Sequence, residues 1–352
     1  VGFHIVNVLL HAINAILLCF LFHQLGIKWA WLGGAIFALH PVHVESVAWI
    51  TELKNVQSGF FYLLTLLFYL RFLDNRRRQW YLATLIMFLA ALLSKPSTVM
   101  LPVILLIIHW WLNHPLQKKD IFSIVPFFVL SALVSLWTIW EQQYHSGAIG
   151  PEWSIGLLER TVIAGYNIWF YIIKLLFPYN LTFFYPRWEI DPLSIIAYFP
   201  LALLLILCLA SLKNYTAWGK SVFIALSYFI VTLFPILGFF NFYFMRYSFV
   251  GDHFQYLPSM GIIALITCGA ALHFEKWELA QTKKTFCWQK IGTRLGLAVL
   301  LIFGALTWKQ GHIYKDMETL LRDTINKNPK AWMAHSNLGM MYAEKGLLDK
   351  AL

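Results

Sequence analysis

Charge is the first thing this chain lacks. Only 12% of its 352 residues are Asp, Glu, Lys or Arg, and 59% are hydrophobic. A soluble domain carries roughly a quarter charged residues, so this composition excludes one and predicts an all-α, polytopic helical membrane protein. Acidic residues are the scarcer sign, 17 against 27 basic, for a formal net charge of +10. The basic excess sits mostly in short loops between apolar runs, where it reports orientation across a bilayer. It is therefore not a nucleic-acid footprint. Cysteine is scarce too: Cys19, Cys208 and Cys268 lie inside apolar runs and Cys287 stands alone in a basic loop. With no CxxC neighbour, neither a disulfide framework nor thiolate zinc is expected. No signal-peptide n-region precedes the first apolar run. The chain opens close to a span and stops inside a repeat, so a piece of a longer protein is expected. Paired short, broken helices, the mark of a transporter's inverted repeat, are also missing.

What is present is a series of apolar runs with Trp and Tyr, 16 of each, gathered at their ends as interfacial belts. The runs are Phe3 to Phe22, Trp29 to Leu39, Val56 to Leu73, Tyr81 to Leu93, Val99 to Leu112, Ile121 to Trp140, Thr161 to Phe177, Leu193 to Leu212, Ser221 to Phe240, Leu257 to His273 and Leu295 to Trp308. The first carries His4, Asn7, His11 and Asn14 at helical steps of three and four. Such a seam either binds helices together or lines a hydrated cavity.

Between the second and third runs lies His40 to Ser58, HPVHVESVAWITELKNVQS. Ionisable groups at a membrane boundary are costly and mark functional sites. His40 before Pro41 predicts a break where the apolar helix ends. His43 and Glu45 follow closely, and Glu45 and Glu52, seven apart, share a face if the segment is helical. A capped loop returning the chain to the membrane is the plain alternative. A metal site is a third reading, but the spacing lacks a fourth ligand.

The basic groups Arg76 to Arg78, Lys118 with Lys119, and Lys276 to Lys290 predict cytoplasmic loops. The motif, Lys95, the Glu141 loop, the Arg187 loop, the Asn241 to Tyr256 loop and the tail then lie on the opposite side. Parity requires that Thr161 to Phe177 not cross, so it is expected to be interfacial or re-entrant, leaving about ten crossings. Residues 1–308 then form the membrane domain. The rest, 309–352, places Leu338, Gly339, Tyr342, Gly346 and Ala351 on tetratricopeptide spacing, with Pro329 closing a preceding unit. One partial unit cannot bury its own face, so further repeats are expected after Leu352.

Three segments carry a resemblance: Phe37 to Ile50, with its His-Pro-x-His-x-Glu; Leu93-Ser94-Lys95-Pro96-Ser97; and Gly251-Asp252-His253-Phe254-Gln255-Tyr256-Leu257-Pro258-Ser259. Together with the tail, the chain resembles the transmembrane-and-tetratricopeptide O-mannosyltransferases and their bacterial relatives, polytopic glycosyltransferases of the GT-C fold. The resemblance implies transfer of a sugar from a polyprenyl-phosphate donor to an extracytoplasmic acceptor, protein hydroxyls included. Such chemistry needs a base near the acceptor and cations around the departing phosphate. It implies Glu45, with His43 and His40, beside the transfer chemistry. Lys95, Arg187, Arg246 and His253 are implied at the donor phosphate, with Glu52, Lys54, Asp252 and Tyr256 in support. Asp252 would orient His253 or Arg246, or cap the following helix. No metal ligands are assigned, and a divalent metal is neither required nor indicated. Two departures stand out. Leu53 and Asn55 occupy positions where the family often carries Arg and Asp, and the family's first extracytoplasmic loop, with its acidic catalytic residue, is not in this chain. The implied partners are the lipid-linked donor, membrane lipids and proteins met through the repeats. The implied place is the bacterial inner membrane with a periplasmic tail, or the endoplasmic reticulum with a luminal one. The competing function is a membrane-anchored scaffold whose repeats recruit proteins without catalysis.

Overall fold

The computed structural model describes residues 2–280 and 287–351. Lys283 and Lys284, expected in a cytoplasmic loop, lie outside the described residues. Every regular element among the described residues is a helix. In chain order these are α1 (Gly2–Gln24), α2 (Ala30–Leu39), the short α3 (Val44–Ala48), α4 (Leu53–Asn75), α5 (Arg78–Ser94), α6 (Leu101–Trp111) and α7 (Lys118–Tyr144). There follow α8 (Leu157–Leu176), α9 (Phe199–Lys213), α10 (Lys220–Leu233), α11 (Ser259–Ala280) and α12 (Trp288–Ile313). The tail holds α13 (Met317–Lys327), α14 (Trp332–Glu344) and α15 (Leu348–Ala351). Pro96, Pro102 and Pro200 open helical turns, where their missing N–H is not needed.

Contacts sort the connecting segments into two ends. At the motif end, Asn7 donates to the Val47 carbonyl at 3.2 Å and the Tyr243 N–H donates to Gln142 at 2.9 Å. At the opposite end, Lys28 pairs with Glu275 and Arg76 with Asp120, while Lys220 donates to the Trp111 carbonyl at 3.2 Å. The helices that shuttle between these ends are α1, α2, α4 to α7 and α9 to α12. Among the described residues six apolar stretches have the length to cross a membrane: His4–Gln24, Ile50–Asn75, Lys118–Tyr144, Ile195–Lys213, Tyr215–Ile236 and Trp288–Ile313. Ala30–Leu39, Arg78–Ser94 and Pro96–Trp111 are apolar but shorter. Among the described residues ten helices thus run between the two ends, and six of these stretches are long and apolar enough to cross a membrane by length and composition alone.

Helix α8 behaves differently. Near its start, Arg160 donates to the Gly238 carbonyl and to Asn241, both at 2.5 Å, beside the loop after α10. At its far end the Leu175 carbonyl meets His40 at 2.9 Å. Its 20 residues span about 30 Å, yet both ends bind segments of the motif end. It lies across that end, with Val162, Ile163, Ile168 and Tyr171 buried beneath it.

The polar seam of α1 is resolved as interhelical glue. Asn14 donates to the Val56 carbonyl at 2.7 Å and to the Tyr256 hydroxyl at 3.0 Å. That hydroxyl lies 2.8 Å from His11 Nδ1, and His11 Nε2 lies 3.2 Å from the Ala38 carbonyl. Tyr256 therefore fastens α1, α2 and α4 to the segment before α11, and Gly59 admits its ring: a Cβ there would sit 2.8 Å from Tyr256 Cε1.

Candidate active site

The motif is built by interruption. Helix α2 ends at Leu39, His40 is extended, and a turn at Pro41–His43 leads into α3. Trp49 is extended again before a second turn at Ile50–Glu52 opens α4. A continuous helix would have placed Glu45 and Glu52 on one face. The break at Trp49 sends them to different partners instead.

Glu45 is 2% exposed and turns to the segment before α11. One carboxylate oxygen accepts the His253 backbone N–H at 3.1 Å, and the other lies 2.9 Å from His253 Nδ1. A carboxylate there fixes the tautomer with the proton on Nδ1. Nε2 of that ring has no hydrogen-bond partner among the described residues. Beside it, Asp252 is also buried, and the Tyr185 hydroxyl sits 3.0 Å from each of its oxygens. Burial, and then the charge of Glu45, push the Asp252 carboxyl well above the usual carboxylate range. Two neighbouring buried carboxyls thus have different partners: Glu45 engages the imidazole, and Asp252 the Tyr185 hydroxyl.

Glu52 forms the second pair. It lies 3.1 Å from Lys54 and 3.5 Å from Lys95, whose ammonium also donates to Asn55 at 2.9 Å. Burial lowers the Lys95 pKa, with Glu52 opposing. Asn55, a departure from the family pattern, joins the two pairs. Its amide donates to the His253 carbonyl at 2.6 Å and to Ser46 at 2.8 Å. An Asp could not make these two donations. Lys95 faces a narrow cleft of about 20 Å³ with Tyr62, Thr98, Phe254 and Pro258. One turn further along α4 and α6, Leu66 and Ile104 border an apolar cavity of about 380 Å³ between the helices.

Other expected residues have different places. His40 is buried with both ring nitrogens engaged, at the Leu175 carbonyl and the Val42 N–H (3.3 Å). His43 meets the Phe37 carbonyl at 2.8 Å and Ser259 at 3.1 Å. Burial lowers both pKa values, that of His40 to about 4. Both ring nitrogens of each histidine are thus engaged within the protein, unlike Nε2 of His253. Arg246 and Arg187 do not join Lys95. Arg246 pairs with Glu152 at 3.0 Å, its Nε–H not aimed at the carboxylate, and its guanidinium stacks 5.1 Å from the Trp332 ring. Arg187 donates to the Glu152 carbonyl at 3.0 Å. Tyr185, Ser46 and Tyr171, which accepts the Gly251 N–H at 3.2 Å, are site residues that sequence reasoning missed. Among the described residues no group of three His, Cys, Asp or Glu side chains is placed to hold a metal.

The chain is 25% identical to the protein O-mannosyl-transferase tmtc2 of Xenopus laevis and 24% identical to TMTC2 of Mus musculus, each over 99% of its length. The protein O-mannosyl-transferase Tmtc2 of Drosophila melanogaster is 40% identical over 28% of the chain. The chain is related by sequence to the protein O-mannosyl-transferase family. It spans about half the length of these full-length relatives, 51% of the Xenopus and mouse proteins. No family model matches it, and no solved structure does.

Proposed function

We propose that this chain is the membrane part of a glycosyltransferase that moves a hexose from a lipid-phosphate donor to a protein hydroxyl on the motif side of the membrane. The relatives' names supply mannose and protein as the analogy. The observation that carries the reading is the Glu45–His253 pair. It presents an imidazole with one nitrogen fixed by a buried carboxylate and the other free of protein partners among the described residues.

In the proposed step the acceptor oxygen forms a bond to the anomeric carbon while the bond from that carbon to the phosphate oxygen breaks. The acceptor proton passes to His253 Nε2, and Glu45 stabilises the imidazolium that results. The phosphate leaves with the bonding electron pair toward Lys95, which Glu52 and Asn55 hold as a point charge. His253 is thus moved from the phosphate to the proton. The apolar cavity one turn beyond the cleft offers hydrocarbon volume for a polyprenyl tail. The tail helices are read as the start of a tetratricopeptide array that meets protein partners. The site and tail are assigned to the extracytoplasmic side, periplasmic in a bacterium and luminal in the endoplasmic reticulum.

The test uses the longer protein, reconstituted with a polyprenyl-phosphate mannose donor and a Ser/Thr peptide. Glu45→Gln and His253→Gln should each lower turnover by about 100-fold or more. Lys95→Met should weaken donor binding and spare acceptor binding. Near-normal turnover in both of the first two variants sinks the mechanism. No transfer by the unaltered protein, with peptide capture retained, returns the scaffold reading.

A further inference from the structure

The segment Leu181 to Tyr185 has two sides with different clients. Toward the site, Phe183 packs on Trp49 at 4.8 Å, and Trp49 packs on His253 at 5.9 Å. Two residues on, the Tyr185 hydroxyl holds Asp252 and accepts the Thr182 N–H at 3.3 Å. Toward the tail, the Leu181 carbonyl accepts from Lys327 at 2.7 Å and the Phe184 carbonyl accepts from Asn328 at 3.1 Å. Asn328 is 5% exposed, and Lys327 is steadied by Asp323 at 2.7 Å one helical turn back. The Phe184 ring also meets Tyr247 at 5.4 Å, and Trp332 covers Tyr247 at 5.5 Å. The end of α13 therefore grips the outer backbone of the strap whose side chains form one wall of the site.

We infer that Lys327 and Asn328 are positioning residues, which act through the Leu181 to Tyr185 strap to seat Tyr185 on Asp252 and Phe183 on Trp49. The tail is then an element of the site itself. Short loops have few hydrogen bonds of their own and open locally unless tied down. Here the two tail donors supply the ties on the outer side. Lys330 makes a useful control, since its pair with Glu189 at 3.8 Å is exposed to solvent, where ion pairs are worth little.

The catalytic consequence rests on the glycosyltransferase reading, and the structural one does not, so the experiment has two arms. In the first, hydrogen exchange is followed on the bilayer-embedded chain. Asn328→Ala and Lys327→Met should speed exchange of the 181–185 amides about tenfold and leave α4 unchanged, while Lys330→Met should alter neither. Unchanged exchange in the strap overturns the inference whatever the protein catalyses. In the second arm, Asn328→Ala in the longer protein should lower kcat about tenfold at constant donor KM. Tyr185→Phe should do the same, the double variant should lose little more, and Lys327→Arg should behave as the unaltered protein. Fully additive losses overturn it. A protein without any transfer activity refutes the glycosyltransferase function, and the exchange arm still decides the strap.

Discussion

Asp252 shows how a single buried carboxyl links stability to pH. Its pKa is raised in the fold, so the folded chain keeps a proton that the unfolded chain has lost above its ordinary value near 3.8. Where the native state binds more protons, stability falls as pH rises. The residue therefore costs nothing at low pH and progressively more above about pH 4, up to its folded pKa. Asp252→Asn keeps an oxygen for the Tyr185 hydroxyl and removes the ionisable group. It should raise the melting temperature at pH 7.5 by about 2–4 °C, with the gain shrinking toward pH 4. An equal gain at both pH values would show that Asp252 is ionised in the fold. At this scale the pairing of Glu45, Lys95 and His253 was legible because charge in so apolar a chain must be partnered. Tyr185 was not, since nothing separates it from the many aromatic residues of its loop until the fold brings it to Asp252. Asn55 was visible only as a departure, and its two donations needed coordinates. The partners of His40 and His43 were likewise invisible, since a histidine that bonds backbone or a hydroxyl looks the same in sequence as one with a free nitrogen.

Elements were legible where one signal dominated. The steps of His4, Asn7, His11 and Asn14 identified a helix face, although the choice between glue and cavity lining required partners from α2, α4 and Tyr256. The motif's turns were only half visible, because Pro41 announces a break and Trp49 does not. The same packing yields a prediction about α1 and α4. Gly59→Ala would press a methyl against Tyr256 Cε1 at 2.8 Å and Asn14 Nδ2 at 3.1 Å, both in a network with no spare room. Overpacking of this kind costs about 1–3 kcal/mol. Gly304→Ala on α12 meets nothing within 4 Å and gains from alanine's higher helix propensity, worth roughly 1 kcal/mol at most. Thermal unfolding of the two variants should therefore move in opposite directions, or at least leave Gly304→Ala unshifted. Equal destabilisation would mean that Tyr256 is not the fixed post described here.

The whole molecule is ordered by which loops share an end. Basic loops predict a grouping by orientation, and contacts group the described loops by packing. Arg76 meets Asp120 at one end, and Lys327 meets the Leu181 carbonyl at the other. What the sequence could only infer by parity was that the run from Thr161 to Phe177 fails to cross. In the fold, Arg160 and Leu175 at the two ends of that run both bond segments of the motif end. That inference is testable in a background lacking Cys19, Cys208, Cys268 and Cys287. Single cysteines at Ser154 and Tyr179, on either flank of α8, and at Ser336 in the tail are all exposed. Each should react with an impermeant thiol reagent applied from the same side of the membrane, and a cysteine at Arg77 should be protected from it. Labelling of Tyr179 together with Arg77 would make α8 a true crossing. It would also divide the strap from His253 by a bilayer, which the 3.0 Å contact between Tyr185 and Asp252 forbids. Reaction of Ser154 and Tyr179 from one side, with about 30 Å of helix between them, is thus what a site assembled on one face of the membrane requires.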